Sequence, residues 1–290
     1  MTTRDAVICS VSALAASALA VAVYRYFPRR KQNAYETKKL VNEYLLFHYG
    51  KPEEVLMYDF GPKDALDFPR RCADLCIEHT GDEVPSLALD IGCAVGRSAF
   101  ELARHFKHVV GIDYSNAFVD TCIQLKLLGK LSYEATTEGV LTSQHEAVID
   151  SQIDRSKTSF QQGDACSLPS DLGQFGCVLG ANLICRLPNP YKFLDRLPTL
   201  VAPGGIVVLT CPFTWLEEYT PKKLWLGGYT DSSGNPVSGA DALKAYLQPN
   251  FELIETKDMP FFIRETARKN QWSVAQVFIW RRRKNTVEKS

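Results

Sequence analysis

Hydrophobic positions follow several distinct patterns along this chain. Residues 6–23 read AVICSVSALAASALAVAV, a run without a single charge. At 1.5 Å per residue a helix of that length covers ~27 Å, enough for a thin bilayer core. Tyr24, Tyr26 and Phe27 follow as an interface belt, with Arg25, Arg29, Arg30 and Lys31 among and after them, whereas only Arg4, set against Asp5, precedes the run. The predicted element is one transmembrane helix with the rest of the chain on the cytoplasmic side. A cleaved signal peptide is the competing expectation, because Ala18-Leu19-Ala20 resembles a small-x-small cleavage site.

Beyond a basic linker, residues 37–49 carry Leu40, Val41, Tyr44, Leu45 and His48 at helical spacing, closed by Gly50 and Pro52. Short apolar runs at 86–91, 108–112, 158–161, 177–182 and 206–211 are predicted to be strands. Helical stripes alternate with them: Ala99, Leu102, Ala103 and Phe106; about 116–128; and Phe193, Leu194, Leu197 and Leu200 behind an Asn189-Pro190 start. Residues 131–157 are polar and are expected to form an irregular insertion. Two late runs, 251–256 and 274–280, suit an antiparallel hairpin. Strand–helix alternation predicts an α/β fold with a parallel sheet and right-handed crossovers. The resulting division is an anchor with a basic flank (1–31), a helical N-terminal extension or lid (32–84), a catalytic domain (85–284) and a tail (285–290).

Composition narrows the function classes. Lys+Arg and Asp+Glu are 33 each in 290 residues, so the basic excess of a phosphate-binding protein is absent and nucleic acid is not the expected partner. Nine cysteines, an odd number with no CxxC pair, read as reduced thiols in a reducing compartment. No metal-ligand spacing stands out.

The strongest chemical signal is the run 89–98, LDIGCAVGRS. A strand leads through small residues into a helix: Gly92 allows the turn, Ala94 keeps the loop low, and Gly96 lets the helix start close to a ligand. Asp113 ends the next strand 21 positions after Gly92, the spacing suited to ribose hydroxyls. Asp90 would oppose a pyrophosphate but suits a cationic amino-acid group. Asp164, in the run Gly163-Asp164-Ala165-Cys166 after the third strand, is placed to read an adenine amino group. Together these acids and glycines form the pattern of a Class I (Rossmann-like) S-adenosylmethionine-dependent methyltransferase. The predicted cofactor set is Asp90, Gly92, Cys93, Ala94, Gly96, Asp113, Tyr114, Asp164, Ala165 and Asn182, with Cys93 and Cys166 as small packing residues.

Several longer segments carry a more specific likeness. LVNEYLLFHYG (40–50), ALDFPRRC (65–72), LDIGCAVGRSAFELARHF (89–106), GDACSLPSDLG (163–173), ANLICRLPNP (181–190), TCPFTWLEEYTPKKLWLGGY (210–229) and FFIRETARKNQWSVAQ (261–276) resemble the methyltransferase domain of ovothiol-synthesis enzymes. The resemblance spans about residues 34–283. It implies a seven-stranded, mostly parallel sheet with a terminal antiparallel hairpin, and methyl transfer to an imidazole nitrogen of 5-thiohistidine. The larger enzymes of that family precede this domain with an iron-dependent sulfoxide synthase. Here His48, His79, His105, His108 and His145 include no HxxxH pair. The expectation is a chain that methylates while a separate sulfoxide synthase installs the sulfur. Cys185 stands where the family pattern favours an acid.

In-line methyl transfer to a neutral imidazole chiefly requires alignment. Asn182, at the end of the fourth strand, is the predicted orienting amide. Arg264 is favoured over Arg186 and Arg268 to hold an amino-acid carboxylate, and His48 is a candidate to close over the cofactor. Trp215, Tyr219, Trp225 and Tyr229 are candidate walls for an imidazole, or a satellite hydrophobic cluster. Another small imidazole or thiol acceptor, or a non-catalytic cofactor-binding partner of a membrane-associated synthase, remain the alternatives.

Overall fold

The computed structural model describes residues 34–284. The apolar run at 6–23 and the tail at 285–290 lie outside the described residues, so the expected membrane helix does too. Among the described residues no helix is long and apolar enough to cross a membrane.

The first helix, α1 (Lys38–Tyr49), starts where Thr37 accepts the amide of Leu40. It is followed by a single turn, α2 (Pro52–Val55), and by α3 (Phe68–His79). Cys72 and Cys76 share the inner face of α3 and are fully enclosed. The sheet then begins with β1 (Leu87–Ile91), α4 (Arg97–Leu102), β2 (His108–Asp113) and α5 (Asn116–Leu128). Ser115 caps α5 by accepting the amide of Phe118, and Gly129 ends it at φ 78°, a left-handed conformation that glycine adopts without strain.

The segment expected to be irregular instead folds as a hairpin, β3 (Lys130–Glu138) and β4 (Leu141–Val148), packed on α1 and α5. Its inward positions are Tyr133, Ala135 and Ala147, each 4% exposed or less. One aromatic and two alanines give a weak alternation signal, which is why the polarity of the remaining positions dominated the reading.

The chain returns to the main sheet with β5 (Thr158–Gln162), β6 (Phe175–Ala181), α6 (Pro190–Leu200) and β7 (Val201–Cys211). Two short strands, β8 (Tyr229–Thr230) and β9 (Pro236–Val237), precede α7 (Gly239–Leu247). The last pair is β10 (Phe251–Arg264) and β11 (Asn270–Arg282), considerably longer than expected. The seven-stranded sheet has the order β10-β11-β7-β6-β1-β2-β5, with β11 antiparallel to both neighbours, β10 and β7, and the five strands from β7 to β5 mutually parallel. This is the expected Rossmann-like arrangement. β6 and β1 are central and buried on both faces, as the unbroken apolar runs require.

Two cores flank the sheet. Phe100, Phe106, Cys177, Leu179 and Val208 pack with α1 and α3 on one face, while Leu89, Val207, Phe193, Leu197 and Trp280 pack on the other. The order reverses between β1 and β6: the crossover after β1 turns to one side and that after β6 to the other. A ligand crevice opens at the carboxyl ends of strands at such a point.

Candidate active site

The loop after β1 is drawn onto the neighbouring strand by its own backbone. The amides of Gly92 and Cys93 donate to the carbonyl of Ile112 at 2.8 and 3.2 Å. Gly92, Ala94 and Gly96 all have positive φ, at 74°, 48° and 83°. The two glycines answer to different neighbours. A Cβ at Gly92 would stand 3.0 Å from the Leu183 side chain, across the crevice, whereas one at Gly96 would stand 2.9 Å from the Cys122 sulfur and 3.1 Å from the Phe160 ring. Gly96 is therefore required by packing beneath the loop.

Asp113, at the end of β2, accepts the Ala94 amide through Oδ2 and the Ser115 amide through Oδ1, both at 2.9 Å. Burial pushes its carboxyl up to about 6, against the lowering effect of these amides. Asp90 is 1% exposed and its Oδ2 has no partner among the described residues. Burial first, and Asp113 second, push it up to about 7. Tyr114 is exposed, and its carbonyl accepts from Gln162 at 3.2 Å. Asp164 turns the chain after β5 by accepting the Cys166 amide at 2.8 Å, with Ala165 buried behind it. Cys93 is buried against Cys122, as expected of a packing residue.

Asn182 follows β6 in a left-handed conformation, φ 51°. Its amide donates to the carbonyl and hydroxyl oxygens of Thr210, and the Thr210 hydroxyl donates back to Asn182 Oδ1 at 2.9 Å. The side-chain oxygen is thus engaged, and the Nδ2 donors have no partner among the described residues.

Over this end of the sheet lies the chain at 35–49. Glu36 accepts the amides of Asn116 and Ala117, and the Tyr35 carbonyl accepts the Ser115 hydroxyl at 2.9 Å. Tyr35 is hydrogen-bonded to Tyr44 and to Tyr219, and Tyr44 stands near Asp113. Burial pushes the Tyr35 phenol up to about 12 and the Tyr44 phenol well above its ordinary value. At the end of α1 the Tyr49 hydroxyl donates to the Val95 carbonyl at 2.8 Å. His48 is enclosed by Tyr44, Phe47 and Tyr49, and burial pushes it down to about 3, so it is neutral. It packs the end of the helix.

On the opposite wall, Arg186 is held by Thr214 through Nη1 to the carbonyl (2.9 Å) and Nη2 to the hydroxyl (3.0 Å), and its guanidinium lies 4.9 Å over the Tyr219 ring. Beneath it, Cys185 is fully buried against Cys211. A hydrogen bond from Cys211, together with the nearby Arg186 charge, pulls its thiol down to about 6.

Arg264 does not join this group. It is 3% exposed, its Nη1 donates to the Glu54 carbonyl at 2.6 Å and its Nε to the Thr266 carbonyl at 3.2 Å. The long β10–β11 hairpin places it in a cleft with Asn42, Glu43, Leu46 and Glu134, on another side of α1 from Tyr44. Its role as the carboxylate holder is corrected accordingly: it ties the hairpin to α2. Arg268 is exposed at the hairpin tip. Trp215 and Trp225 stack on one another, 6.3 Å apart, within the α6–α7 core, and Tyr229 is exposed in β8. Of those four aromatic residues, Tyr219 alone contacts Arg186. Tyr35, Glu36, Thr210 and Thr214 were missed, because their contacts join segments far apart in sequence.

The orphaned carboxylate oxygen of Asp90, the left-handed loop and the acid ending β2 fit S-adenosylmethionine, with Asp113 and Asp164 at the ends of neighbouring strands for ribose and adenine. Residues 89–209 match the family described as "Methyltransferase domain". A probable chloroplastic tocopherol O-methyltransferase from Oryza sativa subsp. japonica is 24% identical over 170 residues, 56% of this chain; the chain spans 40% of the length of that relative. Among solved structures, the N-methyltransferase NodS from Bradyrhizobium japonicum WM9, in complex with S-adenosyl-L-homocysteine, is 15% identical with a TM-score of 0.47, over 84% of this chain and 99% of that one. An S-adenosylmethionine-dependent methyltransferase from Methanosarcina mazei is 17% identical with a TM-score of 0.46, over 71% and 95%. With the glycine loop, its acids and the sheet order in place, residues 89–209 match a methyltransferase domain whose loop and acids fit S-adenosylmethionine.

Proposed function

We propose that this chain methylates an imidazole nitrogen of 5-thiohistidine. The observation that supports this reading is where the ovothiol-like segments meet. Segment 40–50 supplies Tyr44, 181–190 supplies Asn182 and Arg186, and 210–229 supplies Thr214 and Tyr219, all around the end of the sheet that carries Asp113. In this reading a separate sulfoxide synthase supplies the thiolated acceptor, and the apolar run at 6–23 attaches the enzyme to a membrane.

When bound, the cofactor supplies a methyl group on a sulfonium, open to in-line displacement. The protein's part is alignment. Asp90, Asp113 and Asp164 hold the cofactor's polar groups, and the loop at 92–96 fixes its distance from the sheet. Asn182 Nδ2 donates to the acceptor, its orientation set by Thr210. Tyr35, Tyr44 and Tyr219 exclude water around the ring. His48 is neutral and enclosed, so it takes no part in moving a proton; the neutral imidazole brings its own lone pair.

The purified chain, given labelled S-adenosylmethionine with histidine, 5-thiohistidine, histamine and carnosine, should label 5-thiohistidine far above the rest. Equal kcat/KM for histidine and 5-thiohistidine would leave a general imidazole N-methyltransferase. Labelling of none of the four would reject the imidazole reading.

A further inference from the structure

We infer that Arg186 is the carboxylate-binding group of the acceptor site, so that the acceptor is an α-carboxylate-bearing molecule held by a two-point hydrogen bond. This deepens the proposed function and rests on it for the acceptor's ring, but not for its carboxylate.

Arg186 Nη1 donates to the carbonyls of Thr214 and Cys185 at 2.9 and 3.1 Å and lies 3.4 Å from the Cys185 sulfur, and Nη2 donates to the Thr214 hydroxyl at 3.0 Å. The Nη1/Nη2 edge is thereby occupied by the protein's own residues. The Nε–H and the second Nη2–H have no partner among the described residues, and no Asp or Glu there forms an ion pair with Arg186. That remaining edge is the planar fork that matches the two oxygens of a carboxylate.

Position and rigidity agree with this assignment. Arg186 is half-buried and follows Asn182 by one turn of chain; Asn182 is fixed by Thr210 at the end of β6. The guanidinium is stacked on Tyr219, and Tyr219 is hydrogen-bonded to Tyr35 from the overlying N-terminal segment. A side chain with backbone, hydroxyl and ring contacts on one edge loses little further freedom when a ligand occupies the other. Cys185, the nearest group able to carry negative charge, lies on the occupied Nη1 side and is fully buried. A bound carboxylate would therefore not compete with it for the same protons. Arg264 offers no such edge in this crevice.

The test is a titration of the full chain, loaded with S-adenosyl-L-homocysteine, using two matched pairs: 5-thiohistidine against 5-thiohistamine, and histidine against histamine. In each pair the molecules differ by the carboxylate. The wild-type protein should bind the carboxylate-bearing member of at least one pair more tightly by roughly tenfold, the loss of a bidentate charged contact. Arg186→Gln should bring that ratio close to one, and Arg186→Lys should leave it intermediate, while both keep their affinity for S-adenosyl-L-homocysteine, which serves as the folding control. No preference for the carboxylate in the wild type, including no measurable binding of any of the four, would overturn the inference. So would an Arg186→Gln protein that holds S-adenosyl-L-homocysteine and retains the full preference. Carboxylate-dependent binding without methylation of 5-thiohistidine would reject the proposed function and leave the role of Arg186 standing.

Discussion

Asp113 Oδ2 accepts the backbone amide of Ala94 at 2.9 Å, so the acid that ends β2 also holds the glycine-bearing loop that follows β1. A residue read from the sequence as a ribose ligand is in the same stroke a strut for the loop that the cofactor lies against. Its second oxygen takes the Ser115 amide, which sets the start of α5. Asp113→Ala should therefore weaken S-adenosyl-L-homocysteine binding by more than the direct contact alone. Losing a charged hydrogen bond costs about 1.5–3 kcal/mol, so at least a tenfold loss in affinity is expected by calorimetry, together with a lowered Tm. Asp113→Asn, which keeps one acceptor oxygen, should recover much of the Tm and little of the affinity. Equal recovery of both would show that the ligand depends on the loop that Asp113 holds and not on its charge.

The buried carboxyl of Asp90 gives the ligand-free protein a distinctive pH dependence. Its folded value of about 7 lies above the ordinary carboxylate range, so the fold retains a proton that the unfolded chain releases. Its contribution is full below the unfolded pKa of about 4 and is lost as pH rises through about 7. Chemical denaturation across pH 4–7.5 should show stability falling with pH by more in the wild type than in Asp90→Asn. Binding of the cationic cofactor should favour the ionised carboxylate and release a proton near pH 6.5. Calorimetry in buffers of different ionisation enthalpy reads that proton, and its absence in Asp90→Asn assigns it.

The glycine loop was legible in sequence because its demands are local: two glycines, a small residue and an acid at fixed distances, each with its own steric or charge reason. The parallel sheet followed from alternation of apolar runs and helical stripes. The β3–β4 hairpin was not legible, since Tyr133, Ala135 and Ala147 are too few and too small to mark a strand face amid Thr, Ser and Glu. The wall of the acceptor crevice was hidden for a different reason. Tyr35 meets Tyr219 and Arg186 across more than 150 residues, and no local pattern reports such a contact. Arg264 misled because a family-like segment was read as a site segment, when the length of β10 and β11 carries it away from the crevice.

Arg264 should consequently behave as a structural residue. Arg264→Ala removes the bonds to the Glu54 and Thr266 carbonyls, and the expected cost is about 1–3 kcal/mol of stability. The acceptor KM of the folded fraction should stay within about twofold of wild type, under half a kcal/mol. A large rise in KM without a change in Tm would restore Arg264 to the site.

Gly96 and Gly92 should separate in their response to alanine. At Gly96 the new Cβ meets Cys122 and Phe160, and φ 83° adds backbone strain of about 1–2 kcal/mol, so Gly96→Ala should lower Tm clearly. Cys122→Gly would relieve only the sulfur contact, so adding it should leave both the Phe160 contact and the strain. At Gly92, φ 74° carries the same backbone strain but the Cβ meets only the movable end of Leu183, so Gly92→Ala should lose less Tm than Gly96→Ala and show a larger effect in cofactor affinity.

Cys185 supplies a final, spectroscopically accessible prediction. Its thiol is lowered to about 6 first by the hydrogen bond from Cys211 and then by the nearby Arg186 charge. Thiolate absorbance followed against pH should show a midpoint near that value, absent in Cys185→Ser. Cys211→Ala removes the donor and should move the midpoint upward, whereas Arg186→Gln should move it upward by less, in keeping with the order of causes. Because the folded pKa is depressed below that of a free thiol, about 8.5, the ionised Cys185 stabilises the fold fully above that value. The contribution is lost as pH falls through about 6. Cys185→Ser should therefore flatten the pH dependence of stability between pH 6 and 8.5. An unchanged midpoint in Cys211→Ala would leave the Arg186 charge and the Thr214 hydrogen bonds as the causes of the shift. That would put the thiolate's charge in direct competition with any anion the guanidinium binds.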